Sequence, residues 1–183
     1  VDVVVDLDGG RRLTGTVPGV HGTTVARTSY SRMAPKRRLE AWVHLLAVAA
    51  RSGSEGWTAV TTARGRSARP VSRSTLAAPE DARAVLAQLV DLRDRGLREP
   101  LPLALKSGEA YASRVVRGSS EELGLAAAAS EFSGRFGDVT EPAVLLVHGS
   151  AVDFGQWASI PPTADEAVWS TDGTRFGVLA RRV

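Results

Sequence analysis

The first eight residues alternate between apolar and acidic side chains, and this pattern constrains the fold more than any other feature of the chain. Val or Leu occupies the odd positions from 1 to 7, and Asp occupies positions 2, 6 and 8. Such alternation is typical of a β-strand with one buried face. Asp8-Gly9-Gly10 then predicts a hairpin turn, because glycine readily adopts the positive φ that tight turns need. We expect a meander of three strands, at about 1–7, 11–17 and 23–29.

Helical and strand patterns alternate through the rest of the chain. An amphipathic stripe predicts a helix over 35–51, and Pro79 at the first position with Glu80 and Asp81 behind it predicts a second helix that ends near Gly96. Ser119 and Glu122 have the spacing of a capping box at the start of a third helix. Further expected elements are strands at 56–63, 70–76 and 143–147, helices at 107–116 and from about 176, and loops between them. The fold class is therefore α/β.

Composition narrows the class of protein. The 183 residues suit a single domain over 1–183, and a first residue other than Met suggests a piece of a longer chain, with its final helix cut off at Val183. Cysteine is absent, which excludes disulfides and thiolate metal sites. No apolar run approaches 18 residues, so we expect no membrane partner and a cytoplasmic location. The net charge is +3, and all but two of the 23 Lys and Arg residues are arginine. This preference for arginine is consistent both with a GC-rich coding sequence and with phosphate contact.

The order of a meander followed by a helix resembles nucleases of the PD-(D/E)xK class, a restriction-endonuclease-like core with flanking helices. Their chemistry needs a carboxylate on the second strand and an acid-x-Lys pattern on the third. The acids hold Mg²⁺, and the lysine stabilises charge on the phosphate. In RecB-like nucleases the second-strand motif is similar to Gly-x-Ile-Asp, so Pro18 stands where the metal-binding Asp would be. Ala26 stands on the third strand, which has neither acid nor lysine in place. Pro18 and Ala26 are therefore expected to be degenerate catalytic positions.

Other side chains offer little to replace the missing site. Asp2 and Asp6 share a strand face, so relocated metal ligands are an alternative to a solvated strand face. His21, His44 and His148 lack the partners that metal binding requires and are expected at the surface or at strand ends. We expect no catalytic residues, no metal and no cofactor in this domain.

Four segments resemble the C-terminal region of RecC, a subunit of exodeoxyribonuclease V. They read RLTGTVPG at 12–19, RLEAWVHLL at 38–46, LRDRGLREPLP at 92–102 and RFGVLARR at 175–182. The third is the most specific, and the arginine- and alanine-rich style is similar to that of high-GC bacteria. The resemblance implies a non-catalytic, nuclease-like domain that serves DNA binding, strand handling and subunit assembly in double-strand break repair. Its implied partners are DNA, RecB and RecD, with ATP and Mg²⁺ used on the other subunits.

Basic clusters are the candidate DNA contacts. The best lies at the start of the helix over 35–51, where a phosphate would offset the unfavourable placement of cations at a helix N-terminus. The candidate DNA-binding residues are Arg32, Lys36, Arg37, Arg38, Arg11, Arg12 and Arg27. A weaker turn cluster contains Arg64, Arg66 and Arg69, and Trp157 and Trp169 are either partner anchors or local packing.

Three hypotheses follow from the sequence. The first is an inactive nuclease-like module that binds DNA or sister subunits. The second is an active Mg²⁺-dependent nuclease with relocated ligands such as Asp2 and Asp6. The third is a protein-interaction domain that never touches DNA.

Overall fold

The chain divides into two compact units, Val1–Leu92 and Arg93–Val183, in a computed structural model that describes residues 1–65 and 70–183. The first unit combines a mixed sheet with helices, which confirms the α/β class, and the second is helical in its described secondary structure. The prediction of one domain over 1–183 stays a prediction, because two compact units can still unfold together. Among the described residues, no helix has both the length and the apolar character needed to cross a membrane.

The predicted hairpin is confirmed at the start of the first unit. Strand β1 (Asp2–Leu7) pairs antiparallel with β2 (Arg11–Thr16), and Asp8–Gly10 forms the turn between them. Gly9 and Gly10 both have a φ of 73°, the conformation for which glycine was expected there. The odd residues of β1 are buried from position 3 onward and the even ones are exposed. The alternation in the sequence therefore predicted the buried face of β1 correctly.

The chain breaks after β2, and this changes the predicted meander. Pro18 has no N–H to donate to a sheet ladder, and Gly19 follows it with a φ of 69°. Pairing resumes in the short strand β3 (Val20–His21), which is antiparallel to β4 (Thr24–Arg32). The third predicted strand thus pairs with β3, whereas β2 pairs with β1 in a separate two-stranded sheet.

A helical crossover completes the first unit. Helix α1 (Pro35–Ser52) leads to β5 (Thr58–Arg64), which lies parallel to β4, and β6 (Val71–Ala77) returns antiparallel to β5. One face of the four-stranded sheet packs on α1 through Val25 and Ala59, which share a core cluster with Leu45 and Val48. The sequence predictions for α1, β5 and β6 are confirmed to within about two residues.

Helix α2 (Ala82–Gly96) begins later than predicted. Asp81 accepts a hydrogen bond from the Ala84 N–H at 3.0 Å through its side chain, so it satisfies one of the free donors of the first turn. Pro79 lies three residues before the helix rather than at its first position. Leu86 from α2 is buried with Leu46 and Val5 in a second core cluster of the first unit.

The second unit surrounds an aromatic core. Its helices are α3 (Leu105–Val115), α4 (Glu121–Ser133), α5 (Pro142–His148), α6 (Phe154–Ala158) and α7 (Arg175–Ala180). Trp157 is buried among Phe132, Phe154 and Phe176, so it belongs to the core of the unit. Ser120, not Ser119, caps α4, since its side chain accepts from the Leu123 N–H at 3.4 Å.

The buried strand predicted at 143–147 is wrong, because this segment forms α5. Pro142 occupies the start of the helix, where the missing N–H is not needed. A short apolar run carries no periodicity that separates a strand from a helix. The run is also not buried: Leu146 is 88% exposed and Val147 is 51% exposed.

Candidate nucleic-acid interface

The expected degenerate positions are Pro18 and Ala26, and Ala26 is hydrogen-bonded to the residue that follows Pro18. The Gly19 carbonyl accepts a hydrogen bond from the Ala26 N–H at 2.8 Å. A Cβ on Gly19 would lie 2.4 Å from the Ala26 carbonyl oxygen, so only glycine permits this approach. Neither Pro18 nor Ala26 has a side chain that can bind a metal ion.

The aspartates of the hairpin have partners within the hairpin itself. Asp6 accepts a hydrogen bond from Arg12 Nε at 2.6 Å, and Asp2 accepts one from the Thr16 hydroxyl at 2.6 Å. Both pairs face each other across the β1–β2 register. The bond to Asp6 raises the pKa of Arg12. Among the residues described in 1–65 and 70–183, no three His, Asp or Glu side chains are grouped to hold a metal ion.

Arg27 points towards helix α1. It donates to Glu40 at 2.5 Å and contacts His44 Nδ1 at 2.6 Å. Partial burial raises the pKa of Glu40, but the charges and hydrogen bonds of Arg27 and Arg37 outweigh it, and the net pKa is lowered. Partial burial and the charge of Arg27 lower the pKa of His44. The guanidinium of Arg27 therefore serves a contact inside the first unit, and His44 is a half-buried partner rather than a surface residue.

Arg11 and Arg12 also have acidic partners. Arg11 forms an ion pair with Asp91 and donates to the Asp8 carbonyl at 3.0 Å. Arg12 forms the exposed pair with Asp6. Exposed pairs of this kind contribute little to stability, so a phosphate can compete for either arginine.

The basic segment between β4 and α1 carries exposed charge. Arg32 ends β4, and Lys36 lies in the first turn of α1; both are exposed, and no ion pair to either is found in the described part of the chain. Ala34 provides no side-chain cap, and the first turn contains no acid. Arg37 forms an ion pair with Glu40 at 3.3 Å, and the same carboxylate also pairs with Arg27. This helix start therefore carries cations where an anion is favoured.

A cleft beside this helix start gathers arginines from three elements. Arg38 of α1, Arg64 of β5 and Arg73 of β6 line it, and partial burial lowers the pKa of Arg38. Sequence reasoning assigned Arg38 to the helix start and Arg64 to a turn cluster, and it did not single out Arg73. Arg66 and Arg69 of that turn cluster lie outside the described residues. The register of β5 and β6 brings Arg64 and Arg73 together, and no local sequence signal contains that register.

Tyr30 is a further surface feature that sequence reasoning missed. It lies near the end of β4 and is 93% exposed. Position 30 follows Ala26 and Thr28 in the strand alternation, and both of these are exposed. An exposed aromatic ring is a surface on which a nucleic-acid base can stack.

Comparison with known proteins places the chain in a family. The family model for the RecC C-terminal domain matches residues 1–115 of the chain. The chain is 36% identical over 184 aligned residues to a RecBCD enzyme subunit RecC from Mycobacterium tuberculosis, covering 100% of the chain and 16% of the relative. A RecBCD enzyme subunit RecC from Mycolicibacterium smegmatis is 41% identical over 111 residues, which cover 61% of the chain and 10% of that relative.

Proposed function

The chain belongs to the RecC C-terminal domain family, and from that premise we propose that it is a nuclease-like domain without catalytic activity that contributes to DNA binding and strand handling. It spans 16% of the length of the Mycobacterium tuberculosis relative. The name of that relative, RecBCD enzyme subunit RecC, supports RecB and RecD as partners and a part in double-strand break repair. In such a complex, the other subunits use ATP and Mg²⁺. We expect the complex to be located in the cytoplasm.

The order of elements supports a PD-(D/E)xK-like core. The antiparallel pairs β1–β2 and β3–β4 are followed by helix α1, which packs on the sheet that contains β4, and the next strand, β5, lies parallel to β4. The arrangement differs from the predicted meander in one respect, because the chain breaks at Pro18 and β2 lies in a separate sheet from β4.

The observation that carries the non-catalytic proposal is the contact between Gly19 and Ala26. In the proposed alignment, Pro18 and Ala26 occupy the two positions that would need a carboxylate for metal-dependent hydrolysis, and Ala26 is hydrogen-bonded to Gly19, the residue that follows Pro18. Without a carboxylate there, no group holds the metal ion that would activate water. Asp2 and Asp6 are the remaining alternative, but each is already bonded to a partner across the hairpin.

A nuclease assay tests this proposal. The chain is incubated with labelled duplex and single-stranded DNA in Mg²⁺ and, separately, in Mn²⁺, alongside Asp6→Ala and Asp2→Ala variants. We expect no cleavage by any of the three proteins. Reproducible cleavage that Asp6→Ala or Asp2→Ala abolishes would overturn the proposal in favour of relocated ligands. Cleavage that is equal in all three proteins and lost on further purification would identify a contaminant and leave the proposal standing.

DNA binding is supported by the helix start that contains Arg32 and Lys36. Its exposed cations lie at the start of a helix that has no side-chain cap and no acid in its first turn, and both features favour a phosphate. Arginine and lysine bind the backbone without regard to sequence, so the expected binding is strongly salt-dependent.

A role in protein contacts alone is the second candidate, and one observation favours it. The second unit exposes apolar side chains at α5 and near it, since Leu146 is 88% exposed and Phe136 is 76% exposed. Exposed apolar groups of this size are typical of subunit contacts. Absence of any DNA binding at low salt would favour this function over DNA handling.

A further inference from the structure

The cleft at the ends of β4 and β5 concentrates positive charge in a concave space. Its volume is about 460 Å³, and its other described lining residues are Met33, Gly65, Val71 and Ser72. That volume lies within the range of about 300–1,000 Å³ for small-ligand pockets. The cleft is therefore large enough for a phosphate together with the sugar that carries it.

The described walls of this cleft are basic. Its described lining includes Arg38, Arg64 and Arg73 and contains no Asp or Glu. Neither Arg64 nor Arg73 forms an ion pair with a carboxylate in the described part of the chain. Guanidinium groups held around one space repel each other, and an anion among them removes that repulsion. A planar guanidinium also matches two oxygens of a phosphate at once.

The position of the cleft in the fold adds a second argument. Arg32 and Arg64 are register partners at the carboxyl ends of the parallel strands β4 and β5, and α1 begins three residues after Arg32. In sheets with parallel strands, ligands bind in the crevice beyond these carboxyl ends. The uncapped first turn of α1 contributes partial positive charge at the same end of the sheet.

We propose that Arg38, Arg64 and Arg73 form a binding site for one phosphate group of a DNA strand. The inference rests on the proposed DNA-handling function and assigns a site to it. A single phosphate between three elements fixes the position of the strand, whereas the exposed charges of Arg32 and Lys36 attract it over a longer range.

The test compares two double variants of equal charge. Arg64→Gln with Arg73→Gln removes two guanidinium groups from the lining of the cleft. Arg114→Gln with Arg117→Gln removes two exposed guanidinium groups from the second unit. Circular dichroism checks that both variants fold. Binding of a fluorescent 12-nucleotide single strand is measured by anisotropy over a series of salt concentrations. We expect the cleft variant to bind about tenfold more weakly, since a charge-assisted bond is lost, and the control to bind as the wild type does.

The Arg73→Lys variant tests the geometry of the site rather than its charge. Lysine keeps the positive charge but loses the planar pair of donors. We expect Arg73→Lys to weaken binding while the salt dependence stays near that of the wild type. Binding equal to the wild type would indicate a diffuse electrostatic field and would overturn the three-arginine site.

A second probe separates failure of the site from failure of the proposed function. The arginine Nε–H signals of Arg64 and Arg73 are followed by nuclear magnetic resonance during titration with inorganic phosphate, and with chloride at matched ionic strength. Shifts with phosphate alone, together with DNA binding that needs both arginines, support the proposal. DNA binding that is insensitive to the cleft variant overturns the site and leaves DNA handling intact. Shifts with phosphate but no DNA binding overturn DNA handling and assign the cleft to free phosphate. No shift with either probe overturns the site.

Discussion

The two units differ in how they use their cations. Residues 1–92 contain thirteen Lys and Arg against eight Asp and Glu, whereas residues 93–183 contain ten against twelve. The net charge of +3 for the whole chain therefore combines an excess of five positive charges in the first unit with an excess of two negative charges in the second. A single value for the chain conceals where the basic surface lies.

Buried or partly buried arginines of the second unit hold its fold together. Arg175 donates to Glu166 through Nε at 2.8 Å and to Glu99 through Nη2 at 2.6 Å, and Glu166 is fully buried. Burial raises the pKa of Glu166, but its hydrogen bonds to Arg175 and Thr163 outweigh this, so the net pKa is lowered. Arg95 pairs with Asp165 and also lies over the ring of Trp169.

The first unit contains ion pairs as well, but Arg32, Lys36, Arg64 and Arg73 lie outside those found in its described part. These four residues lie at the ends of β4 and β5, at the start of α1 and in β6. The comparison teaches that arginine content alone does not indicate nucleic-acid binding. The cations that we expect to bind DNA are those that lie outside these ion pairs and are grouped at one end of the sheet, and only the folded structure identifies them.

The largest expected effect is on the stability of the second unit. Arg175→Met removes the closer of the two counter-charges of the buried Glu166, since Arg95 remains at 3.5 Å, and breaking a buried pair costs about 3–5 kcal/mol. Urea unfolding measures the loss of unfolding free energy, and Arg114→Met at an exposed position is the control. A loss no larger than that of the control would show that the Arg175 network is not structural.

A core substitution in the first unit tests whether the two units unfold together. Leu45 is completely buried beneath the sheet, and Leu45→Ala is expected to cost about 2–5 kcal/mol. Hydrogen exchange measured along the whole chain follows each unit separately. If 1–183 is one cooperative domain, the slowest amides of both units lose protection equally. Loss confined to residues 1–92 would contradict the single-domain prediction.

Acid is expected to weaken the second unit through Glu166. Because the folded pKa of this group lies below its ordinary value of 4.5, its contribution is present above pH 4.5 and is lost as the pH falls through the lowered folded value. Asp165 acts in the same direction, since its hydrogen bond to Arg95 lowers its pKa to about 2. Thermal unfolding between pH 6 and pH 2 measures the effect, and Glu166→Gln should flatten the dependence. An unchanged slope in that variant would exclude Glu166 as the cause.

The smallest of these effects concerns Tyr30. Its ring is almost fully exposed, so Tyr30→Ser should leave the unfolding free energy nearly unchanged. Stacking of a base on an aromatic ring is worth about 1–3 kcal/mol, and we expect a loss near the lower limit for single-stranded DNA. Duplex DNA, whose bases are already stacked, should bind as it does to the wild type. Equal loss for both forms of DNA would contradict stacking on Tyr30.

Local patterns predicted most of the fold but little of the cleft. The alternation before Gly9 and the apolar stripe of α1 each depend on neighbouring residues, and both predictions are confirmed. The helix α5 was missed because its short apolar run has no distinctive period. Arg73 was missed because its closeness to Arg64 depends on the pairing of two strands, which is a non-local property.

The central claim is that the DNA-binding charge lies in the first unit, and a pair of charge-reversal variants tests it most directly. Arg32→Glu with Lys36→Glu is compared with Arg114→Glu and Arg117→Glu in binding DNA over a range of salt concentrations. An acid at position 36 favours the start of α1, so lost binding cannot be attributed to a weakened helix. We predict that the first variant binds more weakly and that its salt slope falls by about two, while the second resembles the wild type. Equal losses in both variants, or DNA binding unaffected by the first, would contradict the account.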